Sequence, residues 1–347
     1  MTGELPKSPP RRVLLIKPSA LGDVVTALPV LRALRRAFPQ AHLAWLVRND
    51  CAPLIAHDGD LNEVILFDRR YLGRAWRSVG AAVGLWKLNR RLRRGRFDWV
   101  IDLQGLFRSA WFARATGAPL RAGFADAREG APAFYTHSPN VCPPHTVDRN
   151  IALARELGLD ARPEDMTLQV APEARAFAEQ CLASGGLKRK GFLICQPPTT
   201  WPTKRYPVRH WRKVVSALSR DVPVVLLGSP STGDREICRA VAEGLNGGVT
   251  DLSGRTDVAQ MVAVIEASAA VVCCDSAAKF IAPAVGVDAV TLIGPTQVER
   301  TGPYPRGRAI VAQVPCQGCL KKRCRHVTCM ELIDPGEVAR TVRAMLT

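Results

Sequence analysis

Asp23 closes the run Val13-Leu-Leu-Ile-Lys-Pro-Ser-Ala-Leu-Gly-Asp23, in which an apolar stretch stops at Pro18 and a polar turn leads into a helix. A carboxylate at that point either acts on a ligand or caps the helix behind it. In an open parallel sheet, ligands sit beyond the carboxyl ends of strands, so Ser19, Gly22 and Asp23 stand where chemistry would happen. Gly22 has no side chain to keep a substrate away from the backbone. Lys204 and Arg205, in the proline-rich loop 196–206, offer a different chemistry. Together with the amides of helices opening after Gly228 and Asp275, such cations suit a diphosphate. A third set, Cys316-x2-Cys319-x4-Cys324-x4-Cys329 with His326 beside it, has the spacing of a zinc or iron–sulfur site.

Strands and helices must hold these groups. Val13 to Ile16 is short, apolar and followed closely by a proline, as in a strand buried on both faces. Val24, Ala27, Leu28, Leu31, Leu34 and Phe38 recur at helical spacing opposite Arg32, Arg35 and Arg36, and Pro29 should kink that helix. Strands are expected at 41–47, 63–67 and 97–103, the last running into a second polar turn, Gln104-Gly-Leu-Phe-Arg-Ser109. Two such turns could face one pocket. Residues 117–145 read as long loops with short strands, and His145-Thr-Val-Asp-Arg-Asn150 opens a helix.

Between Leu159 and Ala171 the composition shifts to Pro, Asp and Glu, which predicts a domain boundary. A second α/β rhythm follows, with strands at 191–195, 222–227, 249–253, 270–274 and 289–293. Asp334-Pro-Gly-Glu337 starts a closing helix with Val338, Val342 and Met345 as its buried stripe. The expected class is α/β: two Rossmann-like domains, 1–165 and 166–330, with mostly parallel sheets facing a central cleft, and a terminal helix in 331–347. Such a pair of halves suggests a nucleotide in one and an acceptor in the other. No G-x-G-x-x-G follows a strand and no G-x-x-x-x-G-K-[ST] is present, which argues against a dinucleotide dehydrogenase and a P-loop nucleotidase.

A chain that is 47% hydrophobic and 23% charged has the composition of a soluble globular protein. No run approaches the roughly 18 apolar residues of a membrane span. Cys195, Cys238, Cys273 and Cys274 lie in apolar stretches and read as small core residues in a reducing compartment, so a cytoplasmic location is expected. The net charge of +17 calls for an anionic partner or surface. From Arg69 to Arg96 there are ten Lys or Arg and no acid. Leu85, Leu88 and Leu92 share a helical face there with Trp86 beside them, so the segment either rests on a membrane surface or presents a solvated basic face above the core.

Several spaced pieces resemble glycosyltransferase family 9, the ADP-heptose:lipopolysaccharide heptosyltransferases. They are Ser-Ala-Leu-Gly-Asp23, Ile101-Asp-Leu-Gln-Gly-Leu-Phe-Arg-Ser109, His145-Thr-Val-Asp-Arg149, Trp201-Pro-Thr-Lys-Arg-Tyr206, Leu252-Ser-Gly-Arg-Thr256, Cys274-Asp-Ser276 and Gly294-Pro-Thr with Glu-Arg-Thr-Gly-Pro-Tyr304. They run in the family's order from Val13 to the C-terminal helix. The resemblance implies a GT-B fold, donor binding mainly by the second domain, and inverting transfer of a heptose to the inner core of a lipopolysaccharide precursor. It implies Asp23 as general base and Lys204 as the cation on the departing diphosphate, doing the work a metal does elsewhere.

Donor contacts are then expected from Thr199, Thr200, Lys204, Gly228, Asp275, Ser276, Ala277 and Thr296, with Asp234 or Glu236 on the ribose hydroxyls. Acceptor contacts are expected from Ser19, Gly22, Gln104, Arg108 and His145. The terminal helix should pack back on the first domain. Partners would be a nucleotide sugar, a lipid-linked saccharide and, through Arg69–Arg96, the inner face of the cytoplasmic membrane; no nucleic acid is expected. No cofactor or bound metal is expected either, because family members carry cysteines in the tail without needing a metal to act. The chain departs from the family's Asp-Ser-Gly-x-x-His pattern, having Ala277 for the glycine and Phe280 for the histidine. That departure leaves two further readings: a different sugar-nucleotide donor, or an inactive sugar-nucleotide-binding or assembly protein at the membrane.

Overall fold

The computed structural model describes residues 8–245 and 247–346, which divide into a unit ending at Gln169 and a unit beginning at Val170. In the first unit the apolar runs form β1 (Arg12–Ile16), β2 (His42–Arg48), β3 (Glu63–Phe67), β4 (Trp99–Asp102) and β5 (Leu120–Gly123). They pair parallel throughout in the order β3-β2-β1-β4-β5. β1 and β4 are central, so residues 13–16 and 99–102 are buried on both faces and cannot alternate polar with apolar. The strand order reverses between β1 and β4, and the turns carrying Asp23 and Gln104 leave from their carboxyl ends.

The second unit repeats the plan with β6 (Leu193–Gln196), β7 (Val224–Leu226), β8 (Val249–Asp251), β9 (Ala270–Cys274), β10 (Asp288–Leu292) and β11 (Arg308–Ile310). The order β11-β10-β9-β6-β7-β8 is again all parallel, and its switch lies between β6 and β9. Its core joins Leu193, Trp211, Val224, Val272 and Leu292 to Val338, Ala339 and Val342 of the terminal helix Pro335–Leu346. That helix buries its stripe in the core of its own unit, against helix Val208–Leu218, β9 and β10.

One element differs from expectation, and a second selects between the two readings above. Pro29 does not kink one long helix; the chain forms Leu21–Val25 and then Leu28–Ala37, with Pro29 in the first turn of the second. A proline lacks the N–H that a helix interior needs but that a first turn does not use. The stripe Leu88 and Leu92 of helix Val79–Arg94 is core, packed with Leu14, Ile16, Phe67 and Phe112, and Leu85 packs against the same cluster. Burying one such leucine stabilises by about 1.5–3 kcal/mol, so this face is not available to a bilayer.

Candidate functional site

Three strand ends in the second unit converge on one carboxylate. Asp275 follows β9 directly, and residues 276–277 lead into the two-turn helix Ala278–Ala284. Beyond β6 the loop bends through Thr199 and Trp201 into the short turn Pro202–Lys204. Beyond β10 the chain turns at Gly294–Thr296. Lys204 Nζ lies 2.7 Å from Asp275 Oδ2, and Thr296 Oγ1 donates to the same oxygen at 2.6 Å. Lys279 Nζ, from the first turn of that helix, reaches back to pair with Asp275 Oδ1. Thr199 Oγ1 donates to the Asp275 carbonyl at 3.0 Å, and Ser276 Oγ to Gln196 Oε1 at 3.1 Å.

The electrostatics follow from burial. Burial alone would raise the Asp275 carboxyl, but Lys279 and Lys204 outweigh it and hold the group below the usual carboxylate range. Burial pulls the Lys279 ammonium down, opposed by Asp275. Two ammoniums on one carboxylate leave an excess positive charge at these strand ends, which favours an anion.

The segment after β11 forms a wall of this site. Gln317 Nε2 donates to the carbonyls of Gly294 (3.2 Å) and Thr296 (3.0 Å), and Leu320 N donates to Pro295 O at 2.7 Å. Thr203 Oγ1 donates to Lys321 O at 2.9 Å. Lys204 Nζ and Lys322 Nζ both lie over the Trp201 ring, 4.3 and 4.9 Å from its centre. Cys329 is buried against Gly294, where a β-carbon would come within 3.0 Å of its sulfur, while Cys316 and Cys319 are exposed. Among the described residues, no three Cys, His, Asp or Glu side chains are arranged to hold a metal ion.

Gly228 follows β7 and packs on Pro198. Asp234 Oδ2 accepts from Ser229 N (3.1 Å) and Ser229 Oγ (2.6 Å), a local turn beside helix Thr232–Ala242, while Glu236 and Thr200 are exposed.

In the first unit, Lys17 Nζ donates to Leu103 O at 2.6 Å and Leu103 N to Ile16 O at 3.0 Å, which ties the turn after β1 to the turn after β4. Asp23, half-buried, accepts from Ala20 N at 2.9 Å, so it does cap its own helix. Ser19 and Gly22 share that turn and are likewise half-buried. Asp102 is buried and accepts from Gln104 N (2.9 Å), Gly105 N (3.2 Å) and Tyr135 Oη (2.7 Å), which shapes the second turn. Burial raises the Asp102 carboxyl, with those donors opposing it. Gln104 Oε1 is buried without a hydrogen-bond partner among the described residues, Arg108 lies over the Phe67 ring, and His145 caps helix Thr146–Glu156 through Val147 N.

The model of "Glycosyltransferase family 9 (heptosyltransferase)" matches residues 85–329, a span that includes Gln104, Lys204, Asp275 and Thr296. The chain belongs to glycosyltransferase family 9. It is 30% identical to lipopolysaccharide heptosyltransferase 1 of Pseudomonas aeruginosa, covering 96% of this chain and 98% of that protein. The structure of Escherichia coli ADP-heptose lps heptosyltransferase II is 25% identical with a TM-score of 0.75, covering 96% and 98% of the two chains. That of E. coli heptosyltransferase WaaC with ADP-2-deoxy-2-fluoro heptose is 23% identical with a TM-score of 0.76, covering 96% and 99%. The protein is therefore a glycosyltransferase, and its two parallel-sheet units are those of the GT-B fold.

Some residues around Asp275 lie outside the quoted family motifs. Lys279, 2% exposed, is the more buried of the two lysines on Asp275. The signal is the Asp-x-x-x-Lys spacing, which lets a lysine in the first turn of the helix reach back to the carboxylate just before it. Gln317 and Lys322 come from a loop whose partners are distant in sequence, and nothing local marks them.

Proposed function

We propose that this glycosyltransferase moves a heptose from ADP-heptose to the inner core of a lipopolysaccharide precursor with inversion. The observation that carries the reading is the Asp275 cluster, in which Lys204 is held at a strand-end switch point by a carboxylate that a second lysine also neutralises. An excess cation at that place suits a nucleoside diphosphate. The heptosyltransferase names of its relatives support the sugar. Thr199, Thr200, Gly228, Ser276, Ala277 and Thr296 would line the donor, with Asp234 or Glu236 on the ribose. Ser19, Gly22, Gln104, Arg108 and His145 would meet the acceptor, and the unpartnered Gln104 Oε1 supports a hydroxyl there.

In the reaction, Asp23 takes the proton of the acceptor hydroxyl as its oxygen bonds the anomeric carbon, the bond from that carbon to the diphosphate breaks, and Lys204 stabilises the departing charge. Asp23→Asn keeps an acceptor for Ala20 N but cannot take a proton. Turnover of ADP-heptose should fall by roughly 10²–10⁴ with ADP affinity unchanged. Unaltered turnover would remove Asp23 from the mechanism. ADP binding by the native protein without transfer to any lipopolysaccharide core acceptor would favour the inactive binding-protein reading.

For membrane association the relevant surface is not the leucine stripe. Trp76 is 73% and Val79 83% exposed, Val83 and Trp86 are also exposed, and Arg69, Arg70, Arg74 and Arg77 adjoin them. Exposed tryptophans beside arginines suit an anionic bilayer interface, where each charge adds about 1 kcal/mol. Co-sedimentation with phosphatidylglycerol vesicles should be lost on changing Trp76 to Ser and these four arginines to Glu. Undiminished sedimentation would discard the surface.

A further inference from the structure

The two lysines on Asp275 are not equivalent. Lys279 stands on a helix in the core and is 2% exposed, whereas Lys204 stands on a short turn with its side chain 15% exposed and its ammonium over Trp201. Lys279 also lies 4.8 Å from the centre of the Phe280 ring, the residue that departs from the family's histidine, so the aromatic face supports the ammonium. One cation is enclosed; the other is partly open to solvent.

A diphosphate arriving at Lys204 competes with Asp275 for it. If Lys204 were the only counter-ion, its transfer to phosphate would leave a buried carboxylate beside new negative charge, and that carboxylate would have to take up a proton. Lys279 on Oδ1 and Thr296 on Oδ2 remain in place and remove that need. We propose that Lys279 is a positioning residue that keeps Asp275 paired, so that Lys204 can be handed from Asp275 to the donor's diphosphate without proton uptake. The proposal rests on the donor reading above.

The groups facing Asp275 are few. Lys204 and Lys279 are its ion-pair partners, Thr296 its hydroxyl donor, and Cys273 and Cys274 precede it on β9. Burial pushes those thiols up to about 11 and about 12, so neither titrates near neutrality. Phosphate of free ADP titrates near pH 6, so the comparison is made above about pH 7.

The experiment is calorimetric titration of ADP into the full chain between about pH 7 and 8.5, in buffers of different ionisation enthalpy. The native protein should bind ADP with almost no proton uptake. Lys279→Met should take up close to one proton, its affinity weakening by up to about tenfold per pH unit. Asp275→Asn combined with Lys279→Met, which removes both charges, should bind without uptake again. Equal proton counts and pH profiles in native and Lys279→Met would overturn the proposal, because a lysine that only fills space would not move them. Uptake of a proton by the native protein would overturn it as well, and that measurement stands even if Lys279→Met fails to fold. If the native protein does not bind ADP at millimolar concentration, the donor reading itself falls, and the proposal with it.

Discussion

Asp275→Asn keeps the size of the side chain and removes its charge. The structure then leaves the Lys279 ammonium 2% exposed with no carboxylate in ion-pair range among the described residues. Removing one partner of a buried ion pair costs about 3–5 kcal/mol. Lys279 has an escape, which is to lose its proton. From an ordinary lysine value near 10.4 that costs about 1.36 kcal/mol per pH unit, so the penalty is capped at about 4.6 kcal/mol at pH 7 and about 2 at pH 9. Lys204 adds little, because it can turn toward solvent over Trp201. The sign is fixed by linkage. In the variant the folded state binds fewer protons at Lys279 than the unfolded state does below 10.4, so its stability rises with pH in that window. Urea denaturation at the two pH values should therefore show a deficit against the native protein of about 3–4.6 kcal/mol at pH 7, shrinking to about 2 or less at pH 9. For a unit of this size a loss of about 4 kcal/mol lowers Tm by roughly 8–16 °C. A deficit below about 1 kcal/mol at pH 7, or an equal deficit at both pH values, would refute the electrostatic account of the cluster.

Leu92→Ala should destabilise by about 2–5 kcal/mol in thermal or urea unfolding while leaving vesicle binding intact, and the reverse pattern would return the leucine stripe to the membrane. Tyr135→Phe leaves buried Asp102 with the amides of Gln104 and Gly105 and the Ser109 hydroxyl, a loss of about 1–3 kcal/mol at neutral pH. Burial already raises Asp102, and losing the phenol raises it further, so the folded variant binds the extra proton and its deficit should narrow as pH falls toward about 4. A deficit that widens on acidification would contradict that sign.

The strand ends were legible because β1, β4, β6 and β9 are central and, apart from a terminal Arg12, Asp102 or Gln196, buried and apolar. The edge strand β11 was not anticipated, since Arg308-Ala-Ile carries no pattern longer than its three residues. Periodicity placed Leu85, Leu88 and Leu92 on one face but says nothing of what covers it; sheet and bilayer select the same spacing. The same holds for the terminal helix, whose stripe was plain and whose partner was not. In the site, Lys204 and Asp275 were marked by local motif, whereas their direct bond joins residues far apart in sequence and follows only from β6 and β9 being neighbours. Lys279 meets Asp275 because a lysine side chain is long enough to reach back toward the residue four positions earlier.

Gln317, Leu320 and Lys321 close the turns that carry Thr296 and Lys204, and Tyr206 at the end of the same loop donates to Ile333 O. During synthesis, this makes the second unit's cluster a late assembly. The unit ending at Gln169 is fully synthesised while the rest is still being made, but the loop bearing Lys204 lacks its final supports until Lys321 and Ile333 have left the ribosome. At ordinary elongation rates of about 5–20 residues per second, that interval lasts on the order of ten seconds or more. A nascent chain in that interval presents the Asp23 turn without a finished lysine cluster, so a premature stop before Lys321 would leave the first unit's strands intact and the cluster unsupported.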